Sequence, residues 1–201
     1  MADIQQAIQA QLGAQIARVP LAMDMFTRSD GAVAGSTTDT GQTWRDAQGS
    51  TSAIIKDNRF ASSGGNGIVT TDLPGHQIKG VTIMQVRSNV GPHDAWMYGW
   101  FAEAGTPAAV IMQRGSDRIR LGVQAGFALN FMTEARVGSV ADELLTLRLD
   151  AKARTASVSV DGRLVIPPLA MPQLAWGSAV GLRVGPAASF DHFIALREFA
   201  L

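Results

Sequence analysis

The chain has 201 residues, with 17 Lys plus Arg against 17 Asp plus Glu, and no cysteine. Zero net charge argues against a nucleic-acid binder, which needs a clustered positive footprint; the missing cysteines exclude disulfide frameworks, thiolate zinc sites and cysteine nucleophiles. Only 17% of residues are charged while 46% are hydrophobic, a balance that suits a protein whose surface is covered by partners.

The amino end differs from everything after it. Met1 to Val19 holds no aromatic residue and a single glycine, and is rich in Ala, Gln, Ile and Leu, which favour helices. Asp3 can cap its start and Pro20 can stop it. Ile4, Ile8, Leu12, Ile16 and Val19 recur at helical spacing and draw one apolar stripe. The opposite face carries Gln5, Gln6, Gln9, Gln11 and Gln15. A helix of about 25 Å at 1.5 Å per residue is marginal alone in water. Two uses remain open: packing on its own domain, or bundling with copies of itself or a larger assembly. No charged n-region with an apolar h-region precedes it, and no run of eighteen apolar residues follows, so neither a signal peptide nor a membrane span is expected.

From residue 53 the hydrophobic period becomes two. Strand-like runs cover 53–60, 67–71, 80–87, 95–102, 108–114, 118–124 and 127–133, then 144–150, 155–160, 163–166, 179–184 and 190–199. Turn signals separate them, among them Gly91-Pro92, Gly105-Thr106-Pro107 and Gly115-Ser116-Asp117. The clearest hairpin alternates from Ser157 to Ile166 around Asp161-Gly162, a pair that tolerates the positive φ of a type I′ turn. Many short strands without intervening helices predict an all-β sandwich or barrel. The expected organisation is a helical element over 1–20 and a sandwich domain over 21–201.

Met25-Phe26-Thr27-Arg28-Ser29-Asp30-Gly31, followed by Thr40-Gly41-Gln42-Thr43-Trp44, resembles the opening of concanavalin A-like lectin/glucanase modules of LamG type. Residues 144–150, 158–165 and 181–193 resemble that family's closing back-sheet strands. The resemblance covers residues 24–201 and implies an antiparallel jelly-roll β-sandwich. Modules that open this way are found in tailed-bacteriophage virion proteins of head, tail and fibre, so the resemblance also implies, by analogy, a virion location.

Hydrolysis of glycans needs a pair of carboxyl groups, and the glucanase-type Glu-x-Asp-x-x-Glu is absent. Asp142-Glu143 are neighbours on opposite faces at a turn, and Asp94 and Glu103 bracket an aromatic strand nine residues apart. His76, His93 and His192 lack metal-ligand spacing, and no Gly-x-Ser-x-Gly elbow occurs. Asp57-Asn58, and Asn89 with Asp94, bear oxygens without forming a dense calcium loop. No catalytic residue, metal site or cofactor is predicted. Arg114, Arg118 and Arg120 form a local basic cluster expected to face water, and Trp44 and Trp176 are expected at the edges of the core. The densest aromatic run is Trp96-Met97-Tyr98-Gly99-Trp100-Phe101. Strict alternation sets Trp96, Tyr98 and Trp100 on one face, either as core or as a sugar-stacking platform or subunit interface.

The expected function is therefore non-enzymatic: a structural component of a tailed-phage virion, anchored or oligomerised through Ile4, Ile8, Leu12, Ile16 and Val19. Its partners would be other virion proteins and itself in a homo-oligomer, a trimer among the options, with neither nucleic acid nor a membrane span. The alternative is a carbohydrate-binding module that recognises host-surface glycans through Trp96, Tyr98 and Trp100.

Overall fold

The computed structural model describes residues 16–47, 52–64, 67–74, 80–90, 95–102, 108–138, 142–172, 176–186 and 188–200. In chain order the strands are β1 Ile16–Asp24, β2 Gly31–Ala32, β3 Arg45–Asp46, β4 Ala53–Lys56, β5 Arg59–Ser62 and β6 Gly67–Asp72. There follow β7 Val81–Val90, β8 Ala95–Ala102, β9 Ala108–Arg114, β10 Arg118–Ala125 and β11 Ala128–Arg136. The last five are β12 Glu143–Asp150, β13 Thr155–Val160, β14 Arg163–Ala170, β15 Ala179–Val184 and β16 Ala188–Ala200.

They form two antiparallel sheets. The nine-stranded sheet runs β14-β13-β12-β7-β16-β5-β4-β2, with β1 also paired to β16. The seven-stranded sheet runs β11-β10-β9-β8-β15-β6-β3. Met84, Leu147, Val158 and Phe193 of the first sheet share one buried core with Met97, Met112, Leu121 and Leu182 of the second. Each such side chain contributes about 1.5–3 kcal/mol of gross hydrophobic stabilisation, largely offset by chain entropy. The arrangement is an all-β sandwich, one of the two architectures that the period of two predicts and the one that the resemblance implies. Among the described residues there is no helix long and apolar enough to cross a membrane.

The amino end departs from expectation. Residues 16–20 are not helical: Ile16 and Val19, expected on the apolar stripe, lie in β1 and pair with Ala200 and Arg197. β-branched side chains suit a strand, and pairing with a thirteen-residue strand outweighs a marginal helical preference. Pro20 interrupts nothing; it sits at a register shift on a strand paired along one side, where a missing N–H is tolerated. β1 thus runs through the boundary expected at residue 20. Asp3, Ile4, Ile8 and Leu12 lie outside the described residues.

Two smaller departures share a cause in turn chemistry. The run 53–60 is a hairpin rather than one strand, folded at Asp57 and Asn58, whose φ values of 53° and 58° make a type I′ turn. Those two residues, considered above as oxygen donors, serve as the turn instead. The hairpin predicted at Asp161-Gly162 forms, with φ of 48° and 77°. Its second arm, β14, continues past Ile166 through Pro167 and Pro168, which an outermost strand accommodates.

Candidate functional site

The motif behind the resemblance builds a corner of the sandwich. Asp24, at the end of β1, is fully buried. Its carboxylate accepts hydrogen bonds from the Phe26 backbone N–H at 2.8 Å, from both Arg28 terminal nitrogens at 2.7 and 2.9 Å, and from Trp44 Nε1 at 2.6 Å. Arg28 also donates to Ser36 Oγ at 2.9 Å. The Met25 N–H donates to Asp39 and the Met23 N–H to Thr40, which pins the 38–42 loop to β1. Trp44, expected at the core's edge, is fully buried, 5.5 Å from the Phe193 ring. These hydrogen bonds position the chain, and of the Arg28 nitrogens only Nε is buried without a partner among the described residues.

Strict alternation does not hold along the aromatic strand. Trp96 and Tyr98 point outward from the seven-stranded sheet, their rings stacked 6.2 Å apart at 13°. Arg183 lies 4.8 Å from the Trp96 ring centre. The β8–β9 pairing then slips between Gly99 and Ala102, and Trp100 takes a left-handed φ of 51°. That extra residue reverses the faces: Trp100 enters the inter-sheet core, and Phe101 joins Trp96 and Tyr98 in a second buried cluster with Ile68 and Ile111. Trp96, Tyr98 and Trp100 are only 3%, 1% and 3% exposed. They do not form one solvent-facing platform.

The bulge opens a different site. Trp100, Trp176, Ala151 and Arg154 line a pocket of about 280 Å³. Trp176 packs on the edge of the core, as expected, and stays partly exposed. Its ring centre lies 5.6 Å from that of Trp100, at 50°. The opposite wall is the tight turn 151–154. It is fixed by the Ala151 N–H donating to Gly80 O at 2.9 Å and the Ala153 N–H to Asp150 Oδ1 at 2.9 Å. Arg154, with a φ of 52°, accepts from the Met171 N–H through its carbonyl at 2.8 Å. Gly177 donates to Trp100 O at 3.0 Å, and a Cβ there would lie 2.0 Å from Phe101 O, so only glycine lets this segment seal the bulge. Trp100 Nε1 is buried without a hydrogen-bond partner among the described residues. A bulky side chain at positive φ and an unpaired indole N–H are both costly, and such costs concentrate at ligand sites. Arg154 and Trp176 were not singled out as a pair in the sequence because 22 positions separate them and only the fold brings them together.

The remaining candidates are placed as follows. Glu143 is buried and paired with Arg114, which also donates to the carbonyls of Gly115 at 2.5 Å and Gly138 at 2.7 Å. Arg114 is thus no part of a water-facing basic cluster; enclosure between the sheets demands that its charge be paired. Asp142 occupies a left-handed turn position, and its carbonyl accepts from Arg87 at 2.8 Å. Arg118 and Arg120 face Glu134 at 3.5 and 3.3 Å. His192 is half-buried; burial, and then the nearby Arg87 charge, push its pKa below the ordinary value against the pull of Asp191. His76, His93, Asp94 and Glu103 lie outside the described residues. Among the described residues no three metal-ligating side chains gather.

No protein-family profile matches the chain, and no curated protein matches it. Solved structures do. A carbohydrate binding module, CBM66 from Bacillus subtilis, is similar over 84% of this chain and 94% of its own, at 14% identity and a TM-score of 0.52. The catalytic domain of an endo-1,3-beta-glucanase (laminarinase) from Thermotoga petrophila RKU-1 is similar over 92% and 99%, at 10% identity and a TM-score of 0.54. The Emp46p carbohydrate recognition domain in its potassium-bound form is similar over 82% and 94%, at 10% identity and a TM-score of 0.54. The fold is that of the jelly-roll lectins and glucanases. At such identities the likeness concerns fold alone.

Proposed function

We propose that the chain is a non-enzymatic carbohydrate-binding module, with a sugar ring held in the pocket of Trp100, Trp176 and Arg154. The observation that carries this reading is the pair of indoles 5.6 Å apart at the wall of a pocket of about 280 Å³. The partly exposed Trp176 ring can stack on the apolar face of a sugar, while the exposed Arg154 guanidinium supplies donors for its oxygens. Support also comes from fold neighbours that are themselves a carbohydrate binding module and a carbohydrate recognition domain. The non-enzymatic part draws support from Glu143, whose carboxylate is engaged by Arg114 rather than paired with a second acid. The virion setting, as a structural component of a tailed phage that contacts host-surface glycans, is carried by the resemblance of residues 25–44.

A glycan array on the purified protein, followed by titration of the best binder, tests the reading. Trp176→Ala removes the partly exposed ring and is expected to weaken binding about tenfold or more, since 1.4 kcal/mol is tenfold. Unchanged affinity in that variant, or no glycan bound at millimolar concentration, would overturn it.

A further inference from the structure

The outer face of the nine-stranded sheet carries a groove that shares no lining residue with the aromatic pocket. On β12, Leu145, Leu147 and Leu149 enter the core, so Thr146 and Arg148 between them point outward. Register then sets outward side chains in rows across the strands. One row is Leu164, Ser159, Thr146 and Gln85, on β14, β13, β12 and β7; it spans about 14 Å at roughly 4.8 Å per strand step. The next row is Ser157, Arg148 and Ile83. Arg18 of β1 and its partner Glu198 of β16 close one end. The groove holds about 300 Å³, the size at which small-ligand sites begin. Its floor is deep for a sheet surface: Ile83, a member of neither buried cluster, and Ser157 are each 5% exposed.

We propose that this groove is a second binding site, for a neutral, hydroxyl-rich saccharide. Its charges cancel locally. Glu198 faces Arg148 at 3.3 Å and Arg18 at 3.6 Å, and Asp150 faces Arg148 at 3.8 Å, two guanidiniums against two carboxylates. A charged ligand therefore meets no net opposite charge there. What the groove offers is donors and acceptors together. Serine and threonine hydroxyls do both. Gln85 Nε2 donates to Thr146 Oγ1 at 3.1 Å, which fixes both side chains and leaves the threonine O–H to donate onward. Sugar hydroxyls likewise donate and accept, so each finds a complement on this surface. Ile83 on the floor and Leu164 on the rim, the latter 55% exposed, supply apolar contact for the C–H side of a sugar ring. The rows stand on paired strands, so the site is preorganised and binding orders little that is loose.

An array of neutral and uronic-acid oligosaccharides tests the proposal. It is probed with the wild type, with Trp176→Ala, with Ser159→Trp, which fills the groove, and with Gln85→Ala/Thr146→Ala, which strips its polar row without adding bulk. Both groove variants are expected to keep the β-rich circular dichroism. They are expected to bind one set of neutral oligosaccharides about tenfold or more weakly, the size of a hydrogen bond or two lost, while Trp176→Ala retains that set. Should Ser159→Trp fail to fold, the alanine pair decides. Groove variants that keep every glycan of the wild type, losses confined to uronic acids, or no glycan bound at all would overturn the groove. Its failure is distinct from that of the aromatic pocket. Losses in Trp176→Ala alone leave the pocket standing without the groove, and losses in the groove variants alone uphold the groove without the pocket.

Discussion

Asp24 shows how a family-like motif can be conspicuous in a sequence without touching a ligand. Phe26, Arg28 and Trp44 were legible as letters of a pattern; their common partner was not, because Asp24 lies 20 positions before Trp44 and outside the quoted pattern. Four hydrogen bonds from three residues converge on this carboxylate in a site closed to solvent. Asp24→Ala leaves the Arg28 guanidinium and the Trp44 indole N–H without that partner, and breaking a buried pair from one side costs about 3–5 kcal/mol. Urea unfolding is expected to show a loss of that size. A loss below about 1 kcal/mol, within reach of an ordinary surface substitution, would mean that water replaces the carboxylate and that the corner does not depend on it. Glu143 obeys the same logic: one half of an Asp-Glu pair in the sequence, its meaning was fixed only when folding brought Arg114 against it.

Strands were legible where period-two alternation and turn residues agreed, as from β7 to β16, because both signals are local. Alternation misled where pairing slipped. Nothing in Trp96–Phe101 announces that Gly99 and Trp100 break the register, since the cause lies in β9 and in the segment after Pro172, both distant in sequence. The same locality explains the helix expected through Val19: its stripe fits a helix, while the strand that captures residues 16–20 is contributed by residues 196–200. Gly177 tests the account of the bulge. A methyl group there would meet Phe101 O at 2.0 Å and the Ala102 Cα at 2.6 Å, backbone atoms that cannot rotate away. Gly177→Ala is expected to push the 176–178 segment off β8, to separate the two indoles, and to destabilise the fold by about 1–3 kcal/mol, as overpacking does. Indole fluorescence should shift and any glycan affinity at the pocket should fall together. Wild-type fluorescence and stability in the variant would show that the bulge does not depend on this close approach.

At the scale of the whole molecule, composition and strand rhythm sufficed for an all-β sandwich or barrel, whereas the choice between them and the assignment of strands to sheets and edges had to come from resemblance and pairing. That assignment changes what the amino end means. Residues 16–20 are sheet, hydrogen-bonded along residues 196–200, with Arg18 reaching Glu198 at 3.6 Å. A chain begun at Ile16 keeps the whole of β1, and a chain begun at Leu21 loses five of its residues; comparing the two isolates the contribution of that stretch. Arg18 and Pro20 are exposed and Val19 is 47% exposed, so for these three residues the loss is mainly of ladder hydrogen bonds. A few such bonds at about 0.5–1.5 kcal/mol each amount to roughly 2–4 kcal/mol. The surface ion pair adds little. The urea midpoint of the shorter chain should fall accordingly. The shorter chain should also aggregate more readily, since the end of β16 then presents an unpaired edge. Equal midpoints for the two chains would mean that residues 16–20 lie on the sheet without stabilising it, and the amino end would then be free to serve as an attachment arm.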